Sequence, residues 1–112
     1  MSAPLSHEQL SMFMTPGEII DKHAVHYYEN TRAEKDMPEH EATDSAWSRK
    51  LRESKKSGLY KDVKARGVQH PVEIMHGDYD YPEGYVYEGH HRIAAANATR
   101  PNDFIPVTHH ED

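Results

Sequence analysis

The sequence contains no cysteine, which excludes a disulfide framework, thiolate zinc sites and a cysteine nucleophile together. It has no run of about 18 apolar residues, so no segment is expected to span a membrane. Its opening, Met1-Ser2-Ala3-Pro4-Leu5, lacks the basic stretch and apolar run of a secretory signal. These absences fit a protein that works in a reducing cytoplasm. Apolar residues are scarce too: hydrophobic types make up 36% and charged types 29% of 112 residues. That is enough for one modest core but not two, with part of the chain left as surface loop or arm.

The formal charge of −6 argues against a generally basic protein that coats nucleic acid. The charge is uneven, however. Residues 49–66 hold eight of the 13 Lys and Arg residues against only Glu53 and Asp62, for a net +6. Such a segment is either a solvated helical face or a local grip for anions, with Arg49, Lys50, Arg52, Lys55 and Lys56 as candidate contacts to a nucleic-acid backbone.

Helix signals come first along the chain. Ser6-x-x-Gln9 can open a short helix through Leu10, Met12 and Phe13. Thr15-Pro16-Gly17-Glu18 is a stronger start, since Thr15 can cap, Pro16 has no N–H to waste and Glu18 can reach back. This helix should turn Ile19, Ile20 and His23 inward and end near Tyr27 or Tyr28. Residues 29–43 are polar without a period and read as a loop or arm. Asp44 can cap the next helix, with Trp47 and Leu51 on one face and Trp47 as a core anchor. Ser57-Gly58 breaks it, and a further helical turn or two from Leu59 stops at Gly67.

Beyond Gly67 the period changes to that of strands. Pro71–Met75, Tyr85–Tyr87 and Phe104–Val107 read as three strands, and Ile93–Ala98 as a helix ended by Thr99-Arg100-Pro101. The last strand is expected beside the strand that precedes Gly89, which would carry His109 and His110 towards the centre of the molecule. The expected fold class is α+β: a small mixed sheet with flanking helices. Residues 1–43 form a helical N-terminal extension and polar arm, and residues 44–112 the main body of one domain.

The segment Glu88-Gly89-His90-His91-Arg92 joins a strand to an alanine-rich helix, and it is the expected functional centre. The first N–H groups of a helix lack internal partners and carry partial positive charge. Glycine at the junction lets an anion approach the backbone. Arg92 offers a planar, permanently charged fork for phosphate oxygens. His90 and His91 can donate hydrogen bonds or act as acid and base. Glu88 can hold a divalent cation such as Mg²⁺. Ten histidines also invite a metal reading, but neither His23-x-x-His26 nor His109-His110 has a third ligand at a telling distance. Tyr79, Tyr81, Tyr85 and Tyr87 gather around the expected hairpin, where they can pack on one another or stack on bases.

From about Leu59 to the end, the sequence resembles the N-terminal domain of the ParB/sulfiredoxin superfamily. The resemblance rests on Gly67-Val68, Pro71-Val72-Glu73-Ile74, Gly89-His90-His91-Arg92 and Ile105-Pro106-Val107, in that order and spacing. The stretch from Trp47 to Tyr60 also resembles small bacteriophage proteins described as ParB-like nucleases. The resemblance implies a ParB/sulfiredoxin-like fold, phosphate binding at Gly89–Arg92, and a cytoplasmic setting in a bacterial host. Sulfiredoxins carry a cysteine where His90 stands, so their chemistry is excluded. ParB carries Glu and Arg at positions 90 and 91 of this box and contacts CTP there. Free-serine kinases of the fold carry Asp-Gly-His-His-Arg, differing only at Glu88.

Three functions follow from the resemblance and the residues. The first is binding of a nucleotide (ATP, ADP or CTP) or of nucleic-acid phosphate, with metal-dependent nuclease or nucleotide hydrolase activity. Glu88 would bind the metal, Gly89 and Arg92 the phosphate, and His90 or His91 would serve as acid or base. The second is an inactive interaction protein that binds a host protein. The third is a small-molecule kinase, with Glu73 as one choice of base.

Overall fold

The computed structural model describes residues 12–111. Ser6 and Gln9, the expected cap of a first helix, lie outside them. Phe13, expected near that helix's end, instead belongs to a two-residue strand, β1 (Phe13–Met14), paired antiparallel with the last strand. Thr15 then caps helix α1 (Pro16–Lys22) as the sequence predicts. Glu18 N–H donates to Thr15 Oγ1 at 3.3 Å, and Thr15 N–H donates back to Glu18 Oε1.

Helix α1 stops at Lys22, well short of Tyr27. The reason is tertiary. Ala24–Val25 forms strand β2, parallel to Tyr85–Val86, and sheet pairing overrides continued helix here. A 3-10 turn follows at Tyr27–Glu29.

Residues 29–43 are not an arm. Thr31 and Glu34 repeat the reciprocal cap of Thr15 and Glu18, opening the single turn α2 (Arg32–Lys35). Helix α3 (Glu39–Ser57) begins directly after Pro38, so Asp44 lies inside it and caps nothing. Its buried stripe explains why no apolar period marks it. Ala42, Ala46, Lys50 and Ser54 recur every fourth residue, and only Ala42 and Ala46 among them are apolar, while Trp47 adds the large core ring. Gly58 ends α3 in the left-handed conformation and leads into α4 (Leu59–Arg66).

Strands β3 (Val72–His76) and β4 (Tyr85–Glu88), helix α5 (His90–Thr99) and strand β5 (Ile105–Glu111) complete the order. The sheet runs β1-β5-β3-β4-β2. Strand β5 pairs parallel with β3, not with β4, so the expected neighbour of the last strand is corrected. Val72, Ile74, Val86, Ile105 and Val107 alternate along their strands onto the face that meets Ile19, Trp47, Val63, Ile93 and the alanines of α5. The protein is therefore an α+β domain with a five-stranded mixed sheet and flanking helices. Two of its strands and the first turns of α3 come from residues 13–43, so no structural break falls at position 43.

Candidate functional site at the β4–α5 junction

The junction depends on an irregularity in β4. Ile74 pairs with Val86 but the preceding Glu73 pairs with Glu88, so Tyr87 is an extra residue in the ladder. Strict alternation would turn Glu88 to the buried face of Val86. The bulge turns both Tyr87 and Glu88 outward, and both are exposed. Gly89 then adopts φ +102°. A Cβ there would lie 2.7 Å from Val72 Cγ1, so glycine is required both for conformation and for space.

A cavity of about 240 Å³ opens at this corner, lined by Glu29, Lys50, Leu59, Tyr87 and residues 88–92. The sequence-predicted segment Glu88–Arg92 is thus brought together on one cavity wall. Glu29 and Leu59 on the other walls were not expected, and neither was Lys50's role as a wall. The repeat of Thr-x-x-Glu at Thr31 and Glu34 is the signal that marks this region as ordered.

His90 is 5% exposed, its ring 5.9 Å from that of Trp47, and its Nε2 has no hydrogen-bond partner among the described residues. Burial holds its pKa down to about 4, against the opposing pull of Glu29. The ring is therefore neutral at pH 7. It is poorly suited to storing a proton for catalysis. His91 is half-buried and meets Glu53 at 3.0 Å, and that hydrogen bond lowers the pKa of Glu53. A carboxylate that orients an imidazole is the usual support of an acid or base.

Arg92 departs from its expected role. Its Nη1 donates to the carbonyls of His70 at 2.9 Å and Pro71 at 3.2 Å. One edge of the guanidinium thus brackets the entry to β3, and only the rest can face an anion. Glu88 has no partner among the described residues and stands on the rim.

The basic segment is divided. Lys50, buried, donates to Glu29 Oε2 at 2.7 Å, a bond that lowers the pKa of Glu29. Arg49 donates to Glu34 Oε1 at 3.0 Å and to the Glu29 carbonyl at 2.6 Å, and its bond holds the Glu34 carboxyl down to about 2. Arg49 and Lys50 are therefore engaged within the fold and do not present a free backbone grip, contrary to expectation. Arg52, Lys55 and Lys56 remain exposed, with Lys55 Nζ 5.1 Å from the centre of the Tyr60 ring.

The other histidines separate as well. His23 follows α1, and His26 stacks on Tyr27 and Tyr28, so they do not form a helical metal pair. His109 and His110 diverge: His109 meets His76 at 2.8 Å, while His110 meets Glu73 at 2.7 Å. Glu73, the choice of kinase base, is thereby occupied. Among the described residues no three His, Asp or Glu side chains already form a metal-ion cage. No described helix is long and apolar enough to cross a membrane. Compared with known proteins, the chain matches no family model, no curated protein and no solved structure.

Proposed function

We propose that the β4–α5 cavity binds the phosphate of a nucleotide together with a divalent cation. The observation that carries this reading is the cavity itself, which Gly89 and the first turn of α5 line together with Lys50 and Glu29. The free N–H groups at the start of α5 act on the same cavity.

Charge decides the form of the phosphate. Lys50 is balanced by Glu29, His91 is paired with Glu53, and Glu88 offsets Arg92. A bare triphosphate would enter a cavity of roughly equal positive and negative charge. A Mg²⁺-chelated phosphate suits it better, because Mg²⁺ takes one or two protein carboxylates and completes its shell with phosphate and water. Glu88, outward and without a side-chain partner among the described residues, fits that part. Hydrolysis would then fall to a water positioned near His91, which Glu53 holds in place.

The resemblance to the ParB/sulfiredoxin superfamily supports the same reading. Its four motif pieces fall at the end of α4, on β3, at the β4–α5 junction and on β5. Phosphate binding in that superfamily occurs at the equivalent of Gly89–Arg92.

A thermal-shift series with nucleoside triphosphates, with and without Mg²⁺, tests the proposal. A ligand of the native state must raise the melting temperature. A rise with Mg²⁺ that is reduced in Glu88→Gln is expected. No rise with any nucleotide would remove the proposal and favour the host-protein interaction reading. Arg92→Ala is a poor probe, because it also frees the carbonyls of His70 and Pro71.

A further inference from the structure

A second cavity, of about 250 Å³, adjoins the first. Its walls are His26, Tyr28, Glu29, Tyr85, Val86 and Tyr87, so Glu29 and Tyr87 belong to both. We infer that the two cavities are parts of one nucleotide site, in which this second one takes the base and Glu29 takes the sugar. The inference rests on the proposed phosphate site and names the ligand's remaining parts.

Four observations support it. First, the aromatic rings are left open where a core would cover them. Tyr28 is 75% and Tyr87 54% exposed, although each is large and mostly apolar. Second, Tyr28 lies in a stacked group. His26 and Tyr28 sit 5.0 Å apart at 13° between planes, and His26 also meets Tyr85 edge-on at 4.6 Å. A planar base extends such a stack at little conformational cost.

Third, the spacing fits. Tyr87 lies two residues before Gly89 on β4, or roughly 7 Å along a strand. That is the scale separating a base from its own 5′-phosphate. The bulge at Tyr87 is what turns Glu88 towards the same side as this ring. Fourth, the charge changes along the site. The aromatic cavity has one ionic wall residue, Glu29, while the phosphate cavity has several. Glu29 is kept ionised by Lys50 and stands where the two meet. An ionised carboxylate between a base pocket and a phosphate pocket is a natural acceptor for ribose hydroxyls.

The experiment compares ATP with inorganic triphosphate, both with Mg²⁺, by titration calorimetry on the full chain. The proteins are wild type, Tyr28→Ala and Tyr28→Phe, which keeps the ring. Tyr28 is exposed and lines only the second cavity, so neither change should threaten the fold or the phosphate site. Tyr28→Ala should weaken ATP about tenfold or more, as loss of one stacking ring does, and leave inorganic triphosphate within about twofold, while Tyr28→Phe binds both as wild type does. Ribose 5-phosphate should bind more weakly than AMP by a similar factor. If ATP is unaffected by Tyr28→Ala while inorganic triphosphate binds, the base site is wrong and the phosphate site stands. If neither ligand binds wild type, both readings fall. A 5′-phosphorylated hexanucleotide tells a free nucleotide from the end of a strand. The cavity has room for a single base, so the hexanucleotide should gain nothing over the mononucleotide. Clearly tighter binding of the strand would overturn the free nucleotide as occupant.

Discussion

At one end of strand β3, Val72 backs onto Gly89 and the cavity that His90 walls. At the other end His76 backs onto Gly84 and meets His23 and His109. Each end has a buried histidine whose Nε2 has no partner among the described residues, His90 at one and His23 at the other, and burial lowers both pKa values to about 4. Their surroundings differ. His23, 1% exposed, fixes its Nδ1 on the Glu83 carbonyl at 2.8 Å, and two other imidazoles lie against it. His90 has no such bond and lies against an open cavity. A buried imidazole locked into a packed cluster serves the fold, whereas one beside a cavity also shapes a place for a ligand.

The two glycines give the largest expected effects. Gly89→Ala puts a methyl group against the Val72 side chain at a positive φ, and should cost about 3–5 kcal/mol in urea unfolding. Gly84→Ala, also at a positive φ, meets His76 Nδ1 at 2.8 Å and the Met75 carbonyl at 3.0 Å, and should cost a similar amount. A Gly89→Ala protein as stable as wild type would show that the junction is looser than its geometry implies.

Acid should separate the two ends next. An unfolded histidine takes its proton near pH 6.5, while the folded His23 and His90 resist protonation until about pH 4. Stability is therefore full above pH 6.5 and is lost as pH falls from there to 4, by roughly 2–4 kcal/mol for each ring. His76, whose pKa burial also lowers, adds loss at its own end. Replacing His23 should flatten the melting-temperature profile in this window more than replacing His90, because His109 and His76 set further positive charge against its protonated ring, whereas Glu29 favours a protonated His90. Equal flattening would undo the distinction.

At neutral pH the two leucine substitutions should diverge. His23→Leu leaves the Glu83 carbonyl without its partner and should cost about 1–3 kcal/mol. His90→Leu breaks no hydrogen bond among the described residues, so its stability should stay within about 1 kcal/mol of wild type while nucleotide binding weakens with the changed cavity wall. The smallest effect belongs to Glu88→Gln. It should change stability by no more than about 0.5 kcal/mol and act only on the Mg²⁺ dependence of binding.

The junction itself was legible in the sequence because a β-branched and aromatic run, a glycine and an alanine-rich run stand side by side there. The Thr15 cap, the glycine breaks and strands β3 and β4 were legible for similar local reasons. Strands β1 and β2 were not, since two residues carry no period and owe their form to partners far along the chain. The first turns of α3 were hidden by a buried stripe that mixes alanine with Lys50 and Ser54. The fate of Arg49 and Lys50 was hidden as well. A run of cations looks like a solvated or ligand-binding face until the fold supplies Glu29 and Glu34 from another helix and turn.

The meeting of Glu29 with Gly89 also bears on how the protein acquires its site. These walls of one cavity lie about sixty residues apart in the chain. The site cannot form from the local β4–α5 segment alone, and closing so long a loop is among the slower steps of folding. A nascent or partly unfolded chain with α5 already helical would still lack Glu29, Lys50's partner and half of the aromatic wall. Ligand affinity should thus report the completed fold, and a nucleotide bound there would tie the first third of the chain to the last.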